Sequence, residues 1–188
     1  AVPEGTGAMM AILTRKEIPM EDICEKVPGQ VVVANYNCPG QRVISGERQS
    51  VETAAEKLLA AGAARALPLK VSGPFHSPLL ETAGKQLFDR LEGVKMNAPS
   101  IPFVSNVTAQ KEADPEKIRE LLGRQVCSPV YWQQSMEYMI ANGADTFVEI
   151  GPGKTLTNFL KKIDKSVKTY HVEKIQDLEE LKNIETAG

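Results

Sequence analysis

Over residues 1–71 the apolar positions follow two rhythms. Ala8–Leu13 is an apolar run behind Gly7, and Val31–Asn35 is rich in β-branched residues, so both predict strands. Gln41–Ser45 alternates in the manner of a partner strand beyond the turn chemistry of Pro39-Gly40. Met20–Val27 has short helical character and is closed by Pro28-Gly29. Ser50–Ala61 sets Val51, Ala54, Ala55, Leu58 and Leu59 at helical spacing, and Gly62 ends it. Ala64–Val71 predicts a further strand.

Beyond that point strands and helices alternate. Ser77-Pro78 predicts a helix start, with Leu79, Leu80, Ala83, Leu87 and Leu91 on one face. Ile101–Ser105 is a short strand, and Asp114-Pro115-Glu116 opens a helix with Asp as cap and Pro in the first turn. Ser128-Pro129 predicts another helix, running through Trp132, Met136 and Met139 to Asn142-Gly143. Thr146–Ile150 is a strand, Gly151–Lys154 leads into a helix, Thr169–Val172 is the last strand and Asp177–Ile184 the last helix.

The first order, β-α-β-β-α-β, is the split βαβ pattern of ferredoxin-like domains. The second implies a largely parallel sheet covered by helices. The fold class is therefore α/β: a small α+β subdomain over residues 1–71, then a parallel-sheet domain over 72–188. Three short parallel strands would leave a buried-type edge open, which predicts a neighbouring strand outside this region.

Composition narrows the function classes. A formal net charge of −2 provides no basic field for nucleic acid. No run of 18 apolar residues occurs, so no transmembrane helix is expected. The opening Ala1-Val2-Pro3-Glu4-Gly5-Thr6-Gly7 lacks both a basic and an apolar region, so no signal peptide is expected, and it does not begin with Met. Cys24, Cys38 and Cys127 are far apart and show no metal-binding spacing, which predicts reduced thiols in a cytoplasmic protein and no metal site.

The chemistry centres on His76, in Val71-Ser72-Gly73-Pro74-Phe75-His76-Ser77-Pro78, between a predicted strand and a predicted helix. Glycine and two prolines restrict its backbone, as a general base requires; a packed histidine is the competing reading. No Gly-x-Ser-x-Gly occurs in the 188 residues. A base without a nucleophile means either different chemistry or part of an enzyme. Cys127 with His76 would be one nucleophile–base pair. Asn35 and Asn37, at a strand end, either face a polar ligand or serve the turn. Gly151-Pro152-Gly153-Lys154, between strand and helix, is either an anion site or a plain tight turn. His171 lies within a strand and reads as structural. Lys154, Lys161, Lys162, Lys165 and Lys168 form either a solvated face or a surface for an acidic partner.

Several stretches together resemble one family, the malonyl-CoA:acyl carrier protein transacylases of bacterial type II fatty acid synthesis. They are Ala1–Met9, Asn35-Tyr36-Asn37-Cys38-Pro39-Gly40-Gln41, Arg65–Leu69, Val71–Leu79, Arg124-Gln125 with Pro129-Val130, and Glu149–Lys154, in family order over nearly the whole chain. The resemblance implies a ferredoxin-like subdomain followed by the C-terminal part of an α/β-hydrolase-like domain. The nucleophile serine would belong to an N-terminal part of the same enzyme that these residues lack. It further implies ping-pong acyl transfer from malonyl-CoA to the phosphopantetheine thiol of acyl carrier protein, without a cofactor. His76 would be the base and the backbone carbonyl of Gln125 its orienter. Phe75 would exclude an α-methyl group, and Asn35 and Asn37 would line the pocket. These 188 residues alone are then expected to be inactive. The alternative is a non-catalytic module that binds carrier protein. The matching His76, Phe75 and Gln125 argue against it, and the place of Cys127 two residues after Gln125 argues against a cysteine enzyme.

Overall fold

The computed structural model describes residue 5 and residues 7–71, 73–182 and 184. Ala1–Glu4, Thr6 and Ser72 of the matching stretches lie outside the described residues, as does most of the chain beyond Lys182. Two compact units form, Ala1–Ser135 and Met136–Gly188.

The first unit is built on four antiparallel strands. They are β1 (Gly7–Leu13), β2 (Val31–Cys38), β3 (Gln41–Glu47) and β4 (Arg65–Pro68), in the spatial order β2-β3-β1-β4. Helices α1 (Met20–Glu25) and α2 (Arg48–Ala60) intervene in the expected places. Strand alternation explains the core. Ile12, Val31, Val33 and Ile44 pack with Met20 and Cys24 of α1 and with Val51, Ala54, Ala55 and Leu58 of α2. The intervening residues Met9, Ala11, Ala34 and Val43 form a second buried cluster. Side chains as large as Ile12 and Leu58 contribute about 1.5–3 kcal/mol each when fully buried. The fourth strand is shorter than its apolar run suggested, although Leu69 N–H still donates to Met9 C=O at 3.0 Å.

A 3-10 turn at Pro78–Leu80 leads into α3 (Glu81–Leu91). The expected strand near Ile101 is β5 (Phe103–Ser105), which pairs antiparallel with β6 (Gln110–Glu112). The second strand of this hairpin had no apolar alternation to announce it, and it replaces the parallel pairing expected for β5. Helix α4 (Pro115–Gln125) starts as its sequence predicts, with Asp114 Oδ1 accepting from Glu116 N–H at 3.0 Å and Pro115 in the first turn. Helices α3 and α4 meet at two glycines, with an ideal Cβ on Gly84 lying 2.7 Å from the Gly123 carbonyl oxygen. The buried Arg119 of α4 donates to the carbonyls of Leu91 (2.5 Å) and Val94 (3.2 Å), satisfying the end of α3.

The helix expected from Ser128 begins later, as α5 (Trp132–Ala141). The reason is a competing pairing. Val130 forms a parallel bridge with Asn35, which ties this residue to β2 and delays the helix.

In the second unit β7 (Thr146–Ile150) and β8 (Lys168–Val172) pair in parallel, Thr146 opposite Lys168, as expected. Helix α6 (Thr155–Ile163) connects them and buries Thr157 and Leu160. The chain then passes a 3-10 turn at Ile175–Asp177 into α7 (Leu178–Leu181), shorter than the helix predicted there. Among the described residues no helix is long and apolar enough to cross a membrane.

Candidate functional site

His76 follows a loop packed from below by β1. Gly7 makes the packing possible, since an ideal Cβ there would lie 2.3 Å from Pro74 Cδ. Pro74 is in turn fully buried. Ser77, also fully buried, donates its hydroxyl to the Pro74 carbonyl at 2.7 Å, and Phe75 N–H donates to Gly73 C=O at 3.0 Å. Ser77 stands at the helix start its sequence predicts, and its side chain, rather than capping the turn that follows, clamps the loop behind it. This places His76 at φ 57°, in the left-handed region. For a residue with a Cβ that conformation costs about 1–2 kcal/mol, and it persists only where surroundings enforce it.

The end of α4 supplies that enforcement. His76 N–H donates to the Val126 carbonyl at 3.2 Å, and its ring Nδ1 lies 2.9 Å from the Gln125 carbonyl oxygen. A carbonyl only accepts, so Nδ1 must carry the proton. The neutral ring then holds its lone pair on Nε2, which is the form a general base needs. Two adjacent carbonyls thus fix both the backbone and the tautomer of one half-buried histidine. The side chain of Gln125 does something else: Nε2 donates to Ser128 C=O at 3.4 Å and closes the following loop.

The structure therefore brings His76 and Gln125 together. Phe75, adjacent to the histidine, presents an exposed ring at 42% accessibility. Asn35 and Asn37 lie on β2, and Asn35 is bridged to Val130, five residues beyond Gln125. Cys127 is committed elsewhere, its thiol reaching the Arg124 carbonyl at 3.5 Å and packing near Gly84.

Two sequence candidates resolve into structural roles. At the N-terminus of α6 the anion is the chain's own: Glu149 accepts from the Leu156 and Thr157 N–H groups at 3.0 and 2.8 Å. The glycine loop before it is held by Glu173, which accepts from Gly153 N–H at 3.4 Å. His171, on β8, donates from Nε2 to the Gly151 carbonyl at 2.9 Å. Lys161 and Lys162 are exposed in the last turn of α6, where cations suit the helix dipole.

Sequence reasoning missed Ser77, Gly7, the Val126 carbonyl, and a cluster around Tyr36. The Tyr36 and Tyr131 rings stack at 5.0 Å, and the Arg42 guanidinium sits 4.8 Å from the Tyr36 ring centre. Glu21 Oε1 accepts from both Tyr36 OH (2.8 Å) and Arg42 (2.6 Å). Burial, reinforced by the hydrogen bond to Glu21, raises the Tyr36 phenol above its ordinary range. The aromatic spacing carried no periodic signal. Among the described residues no group of three His, Cys, Asp or Glu side chains is placed to hold a metal ion.

The chain is similar to known proteins over nearly its whole length. The model of the acyl transferase domain family matches residues 2–183. The malonyl CoA-acyl carrier protein transacylase of Escherichia coli (strain K12) is 46% identical over 165 residues, covering 87% of this chain and 53% of that protein. The protein of the same description from Bacillus subtilis (strain 168) is 42% identical over 182 residues, covering 95% and 57%. The crystal structure of an acyl carrier protein S-malonyltransferase from Vibrio cholerae superposes with a TM-score of 0.92 at 41% identity, covering 96% of this chain and 60% of that one. A type II PKS acyl-carrier protein in complex with its malonyl-transacylase gives 0.91 at 40% identity, covering 95% and 58%. The chain spans about half the length of the curated relatives it matches.

Proposed function

The chain belongs to the acyl transferase domain family, and on that premise we propose that it supplies the histidine base of a malonyl-CoA:acyl carrier protein transacylase. The observation that carries the reading is the 2.9 Å approach of His76 Nδ1 to the Gln125 carbonyl, which leaves Nε2 free to accept a proton.

The nucleophile of the proposed reaction is a serine outside these 188 residues. His76 Nε2 takes the serine proton as the oxygen attacks the malonyl thioester. The carbon–sulfur bond breaks, and the departing CoA thiolate takes that proton. In the second half, the carrier's phosphopantetheine thiol gives its proton to Nε2 and attacks the malonyl ester, and the serine oxygen recovers the proton on leaving. The Gln125 carbonyl stabilises the imidazolium formed in each half and preserves the tautomer, as a carboxylate does in the more familiar triads.

Phe75 fills the space an α-methyl group would need, disfavouring methylmalonyl by about 1–3 kcal/mol. Asn35 and Asn37 line the acyl pocket. The order β2-β3-β1-β4 with two covering helices supports a ferredoxin-like subdomain over residues 1–71. The parallel pair β7–β8 supports a hydrolase-like sheet over residues 72–188. The reaction needs no cofactor and runs in the cytoplasm.

The test uses labelled malonyl-CoA. A polypeptide of these 188 residues acquires no covalent malonyl group, whereas the chain completed by a serine-bearing acyltransferase half transfers malonyl to carrier protein. His76→Ala in the completed protein lowers transfer about 10²–10⁴-fold with the fold intact. Label on the 188-residue chain, or undiminished transfer by the variant, would overturn the assignment.

A further inference from the structure

We propose that Tyr131 and Tyr36, with Glu21 and Arg42 behind them, are positioning residues for His76: they fix the segment whose carbonyls orient the ring. The proposal rests on the reading of His76 as the base.

The segment Gln125–Tyr131 is anchored at both ends. At its start, the Gln125 and Val126 carbonyls hold the His76 ring and backbone. At its end, Val130 is laced into β2, donating to Ala34 C=O and accepting from Tyr36 N–H, both at 2.9 Å. Tyr131 N–H donates to Asn106 C=O at 2.9 Å, and its ring stacks on Tyr36. The main-chain bonds alone form a single isolated bridge, a weak attachment for a strand edge that begins at a bulge. The stack adds side-chain fixing at that place. Arg42, opposite Tyr36 on β3, covers the Tyr36 ring and is held by the carboxylate that also accepts the phenol. Each member therefore restrains Tyr36, and through the stack Tyr131. The same bridge carries Asn35, so the device also sets the base against the proposed pocket strand.

The experiment reads His76 directly, by nitrogen-15 NMR of the imidazole in the 188-residue chain at a pH where the ring is neutral. Tyr131→Ala is expected to lose the single Nδ1–H tautomer and to exchange that proton about fivefold faster, the size of one neutral hydrogen bond's net contribution. Tyr131→Phe keeps the stack and should restore the wild-type spectrum. Tyr131→Leu, which keeps apolar bulk without a ring, carries the test if the alanine variant does not fold, and it should show the same loss. An unchanged tautomer in a folded Tyr131→Ala or Tyr131→Leu variant would overturn the proposal, as would failure of Tyr131→Phe to restore the signals. Because no acyl transfer is measured, this result stands apart from the test of His76 as a base.

Discussion

Replacing Gly84 by alanine sets two known effects against each other, and the structure decides the sign. In an ordinary helix the change is worth about 1 kcal/mol of stability through propensity. Here the new methyl would lie 2.7 Å from the Gly123 carbonyl oxygen and 3.3 Å from Cys127 Sγ. Ordinary contact begins at 3.4 Å, so α4 must retreat by about 0.7 Å. A gap of that size forfeits a quarter to a half of each dispersion contact along the crossing. Overpacking of this kind costs about 1–3 kcal/mol, which exceeds the propensity gain and leaves a net loss of about 1 kcal/mol. Urea unfolding followed by circular dichroism should show that loss, with Tm lower by about 2–4 °C. Gly123→Ala meets the same crossing, its Cβ lying 3.2 Å from the Gly84 carbonyl oxygen, so the double variant should cost less than the sum. The retreat would also draw the Gln125 carbonyl away from His76, lengthening a 2.9 Å contact towards the limit of a hydrogen bond. A Gly84→Ala chain more stable than the parent would refute the close crossing and this account of how α4 is placed.

Two further outcomes follow from particular contacts. Arg119→Met should destabilise the first unit by about 1–3 kcal/mol, because the α3 carbonyls it serves lose charge-assisted donors while the side-chain volume is kept; unfolding midpoints equal to the parent would contradict that. For Glu149, partial burial alone would raise the pKa, but hydrogen bonds from Thr157 and Leu156 and the nearby His171 hold it below the usual carboxylate range. A lowered folded value means its contribution is complete above the unfolded carboxylate range, near about 4.3, and disappears as pH falls through the folded value. Amide protection at Leu156 and Thr157 should therefore drop in that acid window, and Glu149→Gln should abolish the dependence; protection that stays constant on acidification would count against the anchoring role.

Much of the fold was legible because periodicity reports burial. The runs around Ile12, Val33, Ile44 and Leu58 announced the four-stranded sheet and its second helix, and Asp114-Pro115 announced α4 to the residue. What escaped was decided by partners distant in sequence. Val130 left the helix expected from Ser128 because β2 offered it a bridge, and β6 formed because a turn folded it onto β5. At the site, flanking glycine and prolines marked His76 as a fixed residue. The Val126 carbonyl could not be seen, because a backbone acceptor has no letter in the sequence. Family resemblance supplied Gln125, whose side chain faces Ser128 while its main chain faces the histidine. Gly7 shows its reason only beside Pro74. Gly151–Lys154 left an anion site and a plain tight turn equally open, and the structure places the chain's own Glu149 at the helix end.

The most direct test of the central claim is the tautomer of His76 in the parent chain, read by nitrogen-15 NMR across the titration of the ring. The neutral ring should carry its proton on Nδ1, directed at the Gln125 carbonyl, with Nε2 unprotonated and ready to accept. A neutral ring protonated on Nε2 would contradict it, because no lone pair would then face an attacking hydroxyl or thiol.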